Sequence, residues 1–396
     1  MRDFALLFAL LVAPPEPEPE HDEDELDARE VLRVVSDFVQ PTLLFETDYR
    51  HHVDDAEGPN GFSLARARLG LRLTPTSWMT AVGTVEFAEQ EQILLLDAYA
   101  RLDATDWLEF TVGLAKPPLF ASFRHEEIAT LAMPSRSAVV NEMRVRRDAG
   151  VEARFKPRAA PLEAIVRLGN GSMALMGEGS LTPTGYANLD LVLGRAWAGG
   201  ESELLGLRFG VAGMVGETRE RESIAGATPL EFVYAQPVLT RGLRARATSH
   251  ALIYAGPVRL IVEAGFAHDR RDYGEPTLTR DGVQTWGLTG ELSWTIRGPW
   301  REVGTRPELA RLADGPWEGG ALELTARVDR FWLGRGTPEL LDAGGTTAAL
   351  GLKWWPTGFL GLALYGDATR FEVAPIEAPA RLWGGTFVLR ASLFWD

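Results

Sequence analysis

Residues 62–73 read FSLARARLGLRL, and the alternation within them decides the fold. Leu64, Arg66, Arg68, Gly70 and Arg72 share one parity, and Ala65, Ala67, Leu69, Leu71 and Leu73 share the other. A strand sends successive side chains to opposite faces, so this stretch reads as a strand with guanidinium groups on one side and apolar groups on the other. ILLLDAYARL (93–102) sets Leu94, Leu96, Ala98, Ala100 and Leu102 against Asp97, Tyr99 and Arg101, and WLEFTVGL (107–114) sets Leu108, Phe110, Val112 and Leu114 against Glu109 and Thr111. One such strand also suits a soluble sheet. The number of strands and the lengths of their connections decide between the two.

Sixteen candidate strands follow one another, near 41–50, 62–73, 78–88, 92–102, 107–115, 148–156, 161–169, 187–197, 204–215, 241–254, 257–268, 282–296, 320–332, 346–356, 358–371 and 382–395. Even-numbered joints are short: TPTS at 74–77, DATD at 103–106, PRAA at 157–160, AGGESE at 198–203, AGP at 255–257 and PTG at 356–358. Odd-numbered joints are longer, with 116–147 the longest and only 89–91 short. Short turns on one rim and long loops on the other mark an all-β transmembrane antiparallel β-barrel of about 16 strands. The long 297–319 joint falls on the short-turn rim and reads as an insertion.

Facing supports the barrel. Arg244, Arg246, Thr248 and His250 oppose Leu243, Ala245, Ala247 and Ala251, and Glu323, Thr325, Arg327 and Asp329 oppose Leu322, Leu324, Ala326 and Val328. An arginine facing lipid at mid-bilayer costs ~2–4 kcal/mol, so these charges require a wet interior. Arg195 and Arg330 fall on the apolar parity near strand ends, within reach of the interface. Trp78, Trp107, Trp197, Trp332, Trp354, Trp355, Trp383 and Trp395 sit at strand ends, the pattern of aromatic girdles.

Composition sets the remaining bounds. With no cysteine there is neither a disulfide framework nor a thiolate metal site. The net charge of −15 argues against nucleic-acid binding. Residues 1–13 (MRDFALLFALLVA) read as an export signal, with Asp3 and Pro14 as departures from the pattern and a buried helix as the alternative. Residues 14–40 form a tether whose first part, through Val31, is proline-rich and carries nine acidic residues against Arg29. Residues 41–396 are the barrel.

Several stretches resemble the phosphate-selective porin O and P family: RARLGLRL (66–73), LLDAYARL (95–102), LEFTVGLAKPPLF (108–120), PSRSAVVNEMRVRRDAGVEARF (134–155), YAGPVRLIVEAGF (254–266), WGLTGELSW (286–294), GGALELTARVDRF (319–331) and LGLKWWP (350–356). The resemblance implies a sixteen-stranded outer-membrane barrel, trimeric, with the long third loop folded into the lumen and arginines along the pore. Family members known for phosphate capture carry vestibule lysines, whereas this chain has only Lys116, Lys156 and Lys353. Barrel and pore therefore carry over better than phosphate selectivity.

The lumen-facing arginines by parity are Arg66, Arg68, Arg72, Arg101, Arg154, Arg244, Arg246, Arg259 and Arg327, with Arg167, Arg208 and Arg390 beside them. A guanidinium offers a planar donor fork that never loses its charge, so a row of them can pass an anion between weak sites. The competing reading is a wall of ion pairs, for which Glu86, Asp97, Glu109, Glu152, Glu263, Glu323 and Asp329 supply partners. Within the loop, Arg124, Arg136, Arg144, Arg146 and Arg147 are the constriction candidates, with His125, Glu126 and Glu127 among them.

No cofactor is implied. His51, His52, Asp54, Asp55 and Glu57 lack a metal-ligand spacing and read as a loop tip, and GNGS at 169–172 is not a nucleophile elbow. Ser249 and His250 point to opposite faces. The expected activity is passive diffusion of small anions, phosphate and polyphosphate among them, by a non-enzyme in contact with outer-membrane lipid. The alternatives are a general diffusion porin, an outer-membrane hydrolase and a structural barrel anchored to the cell wall.

Overall fold

The computed structural model describes residues 38–395 apart from 54–59, 88–92, 172–182, 195–203, 231, 272–279, 302–303, 310–318, 335–341 and 374–381. The segments read as an export signal and as most of the tether, together with Asp54, Asp55, Glu57, Arg195 and Trp197, lie outside the described residues.

Residues 39–396 contain a closed antiparallel barrel of sixteen strands. They are β1 (Val39–His52), β2 (Gly61–Thr76), β3 (Met79–Glu86), β4 (Leu94–Thr105), β5 (Leu108–Ala115), β6 (Asp148–Phe155), β7 (Leu162–Gly169), β8 (Thr184–Leu193) and β9 (Leu204–Glu222), then β12 (Leu239–Ala255), β13 (Val258–Arg271), β14 (Arg280–Arg297), β15 (Ala321–Gly334), β16 (Ala343–Thr357), β17 (Leu360–Phe371) and β18 (Trp383–Trp395). Two short strands, β10 (Gly226–Ala227) and β11 (Val233–Ala235), form a separate hairpin. Each barrel strand pairs with its neighbours in sequence, and β1 closes the ring against β18, with Leu43 opposite Trp395 and His52 opposite Thr386. Closure leaves no unpaired edge, the condition for a sheet to sit in lipid.

The partition of side chains is inside-out. Leu69, Val151, Val211, Leu288, Val328, Leu350 and Leu389 are exposed on the outer surface, while Asp48, Glu152, Asp190, Arg246, Glu263 and Arg327 are buried within. Simple alternation fails at two bulges. Arg66 pairs with Glu46 but Leu64 with Thr47, so Ala65 is an extra residue and Leu64 turns outward with Phe62 instead of lying beside the arginines. In β4 the same device makes Leu96 the extra residue: Leu95 faces out, and Leu96 is buried instead of facing lipid. Of the strand-end tryptophans, Trp78, Trp107, Trp383 and Trp395 are exposed, but Trp355 is fully buried and donates to Glu323 Oε2 at 3.3 Å.

The loop 116–147 lies inside the barrel. It holds two short helices, α1 (Ala121–His125) and α2 (Ala138–Met143), with a 3-10 turn at Ile128–Thr130 between them. The Ser137 hydroxyl caps α2 by accepting from Val140 N at 3.1 Å. Leu119, Phe120, Phe123, Val139, Val140 and Met143 are buried with Tyr186, Met214 and Phe331 of the wall. A loop this apolar would expose its side chains outside the barrel; the lumen lets it bury them. Close approach depends on missing side chains in the wall. A Cβ at Gly287 would meet Val139 at 2.7 Å, and one at Gly265 would meet Met143 at 2.9 Å.

The long joint between the candidate strands 204–215 and 241–254 is partly ordered. β9 runs on to Glu222, and the β10–β11 hairpin tucks in against the loop: Ile224, Phe232 and Tyr234 are buried, Tyr234 packs on Phe371, and Pro229 O accepts from Asn141. The insertion after β14 also gains a role. Arg301 is buried and donates to Glu323 at 2.9 Å and to Thr130 O, and Leu309 packs beside Ile128 and Trp355, so this connection braces the loop from the short-turn end.

Gly287→Leu should collide with Val139 and cost about 1–3 kcal/mol by overpacking. The expected outcome is loss of the compact electrophoretic form at a lower temperature than in the native chain. Gly290→Ala, where a Cβ meets nothing within 4 Å, should leave that temperature unchanged.

Candidate functional site: the lumen and its inserted loop

An irregular loop in a closed interior must find partners for its own backbone. Here the wall supplies them, mostly from arginine. Arg327 donates to Ser135 O at 2.7 Å, Arg66 to Pro134 O at 3.3 Å, and Arg390 to the same Pro134 carbonyl. Lys353 reaches Leu131 O at 2.7 Å. Within the loop, Arg136 donates to Ser122 O at 2.6 Å and to Glu126 O. Wall carboxylates take the loop's amides: Glu263 accepts from Ser122 N at 3.0 Å and Asp329 from Ala138 N at 3.3 Å.

The same guanidiniums are paired with carboxylates. Arg259 holds Glu126 at 2.8 and 3.0 Å and also meets Glu291, while Tyr254 donates to Glu126. Arg246 makes a two-point pair with Asp269 at 2.9 Å, and Arg244 is 3.5 Å from that carboxylate. Arg327 lies 3.3 Å from Asp329, Arg124 grips Glu152, and Arg154 reaches Glu163 at 2.7 Å. Arg390 pairs with Asp48 at 2.6 Å and with Glu46, which Arg66 also contacts. Arg246, Arg259 and Arg327 are almost wholly out of reach of water.

The accessible charges lie on the opposite side, between the loop and the wall of β2 to β5. Arg72 is exposed, Arg101 is two-fifths exposed 3.7 Å from Asp103, and Arg68 is partly open against Glu86. Tyr99 stands among Asp97, Glu127, Arg72 and Arg101. On the loop side Glu127 is open and pairs with Lys116 at 2.8 Å. Beneath, the buried Phe123 ring carries four cations at 5.0–5.6 Å: Lys116, Arg136, Arg144 and Arg147. Glu127 pairs with Lys116 of this group and Asp97 with Arg147. Burial holds the Lys116 ammonium down at about 8, against the pull of Glu127.

The arginines selected by parity therefore divide. Arg72 and Arg101 line open space, Arg66, Arg68, Arg154 and Arg244 are partly covered and paired, and Arg246, Arg259 and Arg327 are locked into buried pairs. Among the loop candidates, Arg136, Arg144 and Arg147 gather on Phe123, Arg124 is turned to Glu152, and Arg146 is exposed just before β6. Sequence reasoning did not find the parts played by Lys353, Arg301 and Glu126 as anchors. The apolar content of 119–145 was the available signal.

One set of donors gathers with metal-like spacing: His125, Glu163 and Asp190 place ligand atoms within 4.8 Å of one another. Arg208 already pairs with both carboxylates and Arg154 with Glu163. Burial and these guanidiniums hold His125 neutral, and the same positive charge repels a cation. The cluster belongs to the ion-pair lattice. Ser249 faces out and His250 in, so they form no nucleophile–base pair.

A wall apolar outside, charged inside and free of edges, with a loop in its lumen, matches solved porin structures. The anion-selective porin of Comamonas acidovorans superposes with a TM-score of 0.56 at 13% identity, covering 90% of this chain and 99% of that one. The outer-membrane channel DcaP of Acinetobacter baumannii gives 0.56 at 10% identity over 90% and 96%, and OprB of Pseudomonas putida 0.54 at 10% over 92% and 96%. The chain has the outer-membrane porin fold. It is a protein of the outer membrane of Gram-negative-type bacteria. No protein-family profile matches it, and no curated protein sequence does.

Removing Glu126 leaves buried Arg259 and Tyr254 without the acceptor they share. Glu126→Ala should cost about 3–5 kcal/mol in denaturant unfolding of the folded barrel. Glu127→Ala, at an open carboxylate, should cost about 1 kcal/mol or less.

Proposed function

We propose that the protein is a passive diffusion channel for small hydrophilic solutes that favours anions, with inorganic phosphate and polyphosphate among them. The observation that carries this reading is the accessible pair Arg72 and Arg101 opposite the cation group on Phe123. A unit charge about 8 Å from an ion in wet surroundings is worth ~0.5 kcal/mol, about twofold in local concentration, and several such charges multiply. Weak successive sites admit an anion without trapping it. The kinship with phosphate-selective porins, the non-enzymatic character and the export signal with its acidic tether belong to this same proposal. The anion selectivity of the Comamonas porin points the same way.

The assembly that fits is a homotrimer. β3, β5, β6 and β7 have eight residues each, below the roughly 9–11 that a tilted strand needs to cross the hydrocarbon. β9 and β12 to β16 have 14–19. A low wall on one side is best covered by neighbouring copies, and an outer-membrane protein of Vibrio cholerae with this fold is described in a trimer form (TM-score 0.56, 10% identity, covering 90% of this chain and 99% of that one).

A second reading, general diffusion with little selectivity, draws on Asp97, Glu109 and Glu127, which neutralise part of the open face. Reversal potentials in a planar bilayer under a potassium chloride gradient separate the two. Anion preference, with chloride current blocked by added phosphate and preference lowered about twofold for each charge removed in Arg72→Gln and Arg101→Gln, is the expected result. A weak or cation preference that these substitutions leave unchanged overturns it.

The Lys116 ammonium, with a pKa of about 8, is charged below that pH and neutral above it. Anion preference should therefore fall as pH rises from 7 to 9. Lys116→Met should remove this pH step.

A further inference from the structure

On the outward face of neighbouring strands, at the long-loop rim that looks out of the cell, two arginines stand side by side. Arg330 of β15 shares its outward face with Val328 and Trp332, and Arg370 of β17 shares its own with Leu364 and Ala368. They stand level, one on each side of Thr346 in β16, since Arg330 pairs across to Thr346 and Thr346 to Arg370. Two inter-strand steps separate their backbones, about 9–10 Å.

The polar groups around them are few. Arg330 donates to Thr346 Oγ1 at 2.9 Å and pairs with Glu372, while no described residue forms an ion pair with Arg370. Arg330, Arg370 and Glu372 together carry a net charge of +1. The flanks are aromatic: Trp286 stacks on Trp332 at 6.0 Å on one side, and the exposed Trp383 lies directly opposite Arg370 on the other. Tryptophan at this level marks the hydrocarbon–headgroup boundary. A guanidinium held at that depth is stable when an anionic group of the lipid meets it.

We propose that Arg330, Thr346 and Arg370 form an external site for the phosphorylated headgroup of an outer-leaflet glycolipid, whose acyl chains lie on the Leu288, Val328, Leu350 and Leu364 surface below. Each guanidinium presents a donor fork that matches two phosphate oxygens, and their spacing suits a headgroup with two phosphates. The site lies on the tall side of the wall, away from the low strands assigned to the trimer. It rests on the outer-membrane placement and not on anion selectivity.

The test is native mass spectrometry of the full-length protein, delipidated in detergent and titrated with diphosphorylated lipid A or the same lipid stripped of phosphate. The expected result is a retained adduct with the phosphorylated lipid only, weakened at least about tenfold in the Arg330→Gln/Arg370→Gln double variant. Millimolar inorganic phosphate should not displace it. Single-channel conductance and the compact electrophoretic form of the variant should be unchanged, because both side chains point away from the lumen. Equal retention of both lipids, an adduct indifferent to the substitutions, or displacement by inorganic phosphate overturns the proposal.

Discussion

Everything in the lumen depends on one requirement: the carbonyls of a long irregular loop have no helix or sheet ladder to satisfy them, and they sit where little water reaches. Arginine meets it better than any other residue, since five donors on one planar group can serve a carbonyl and a carboxylate together. Arg327 does this with Ser135 O and Asp329, and Arg390 with Pro134 O, Glu46 and Asp48. The carboxylates keep the buried guanidiniums from being uncompensated charges. An arginine-rich wall is therefore first the scaffold of its own constriction.

This dual demand sorts the arginines by position. Where the loop and the β10–β11 hairpin fill the lumen, on the side of β12 to β18, the guanidiniums are consumed by structure. Along β2 to β5 the loop is held at Arg66 and Asp97, while Arg72 and Arg101 keep access to water. The arginines that keep access to water are the minority that the loop does not use.

Much of this was legible in the chain. Period-2 alternation located all sixteen strands, because lipid outside and water inside impose opposite chemistry on adjacent residues. The resemblance to phosphate-selective porins carried the expectation that the third loop turns inward. Alternation misplaced Leu64 and Leu96, since a bulge adds a residue without a local marker. Parity showed that Arg246 and Arg72 face inward but not that one is locked to Asp269 and the other open; that depends on which strands the loop approaches, a long-range property. Trp355 looked like a girdle residue from its place near a strand end, yet the insertion after β14 and the loop bury it.

The seam between β1 and β18 carries a consequence for biogenesis. Glu46 and Asp48 come from the first strand, Arg390 and Ser392 from the last, and all converge beneath Pro134 of the loop. Until the last strand arrives, two acidic groups and a loop carbonyl lack their principal donor. The part of the lumen network around Pro134 can thus be completed only at ring closure. A chain stalled one strand short would present an acidic gap at Glu46 and Asp48 beside an incompletely held Pro134, a signature that distinguishes unfinished barrels from finished ones.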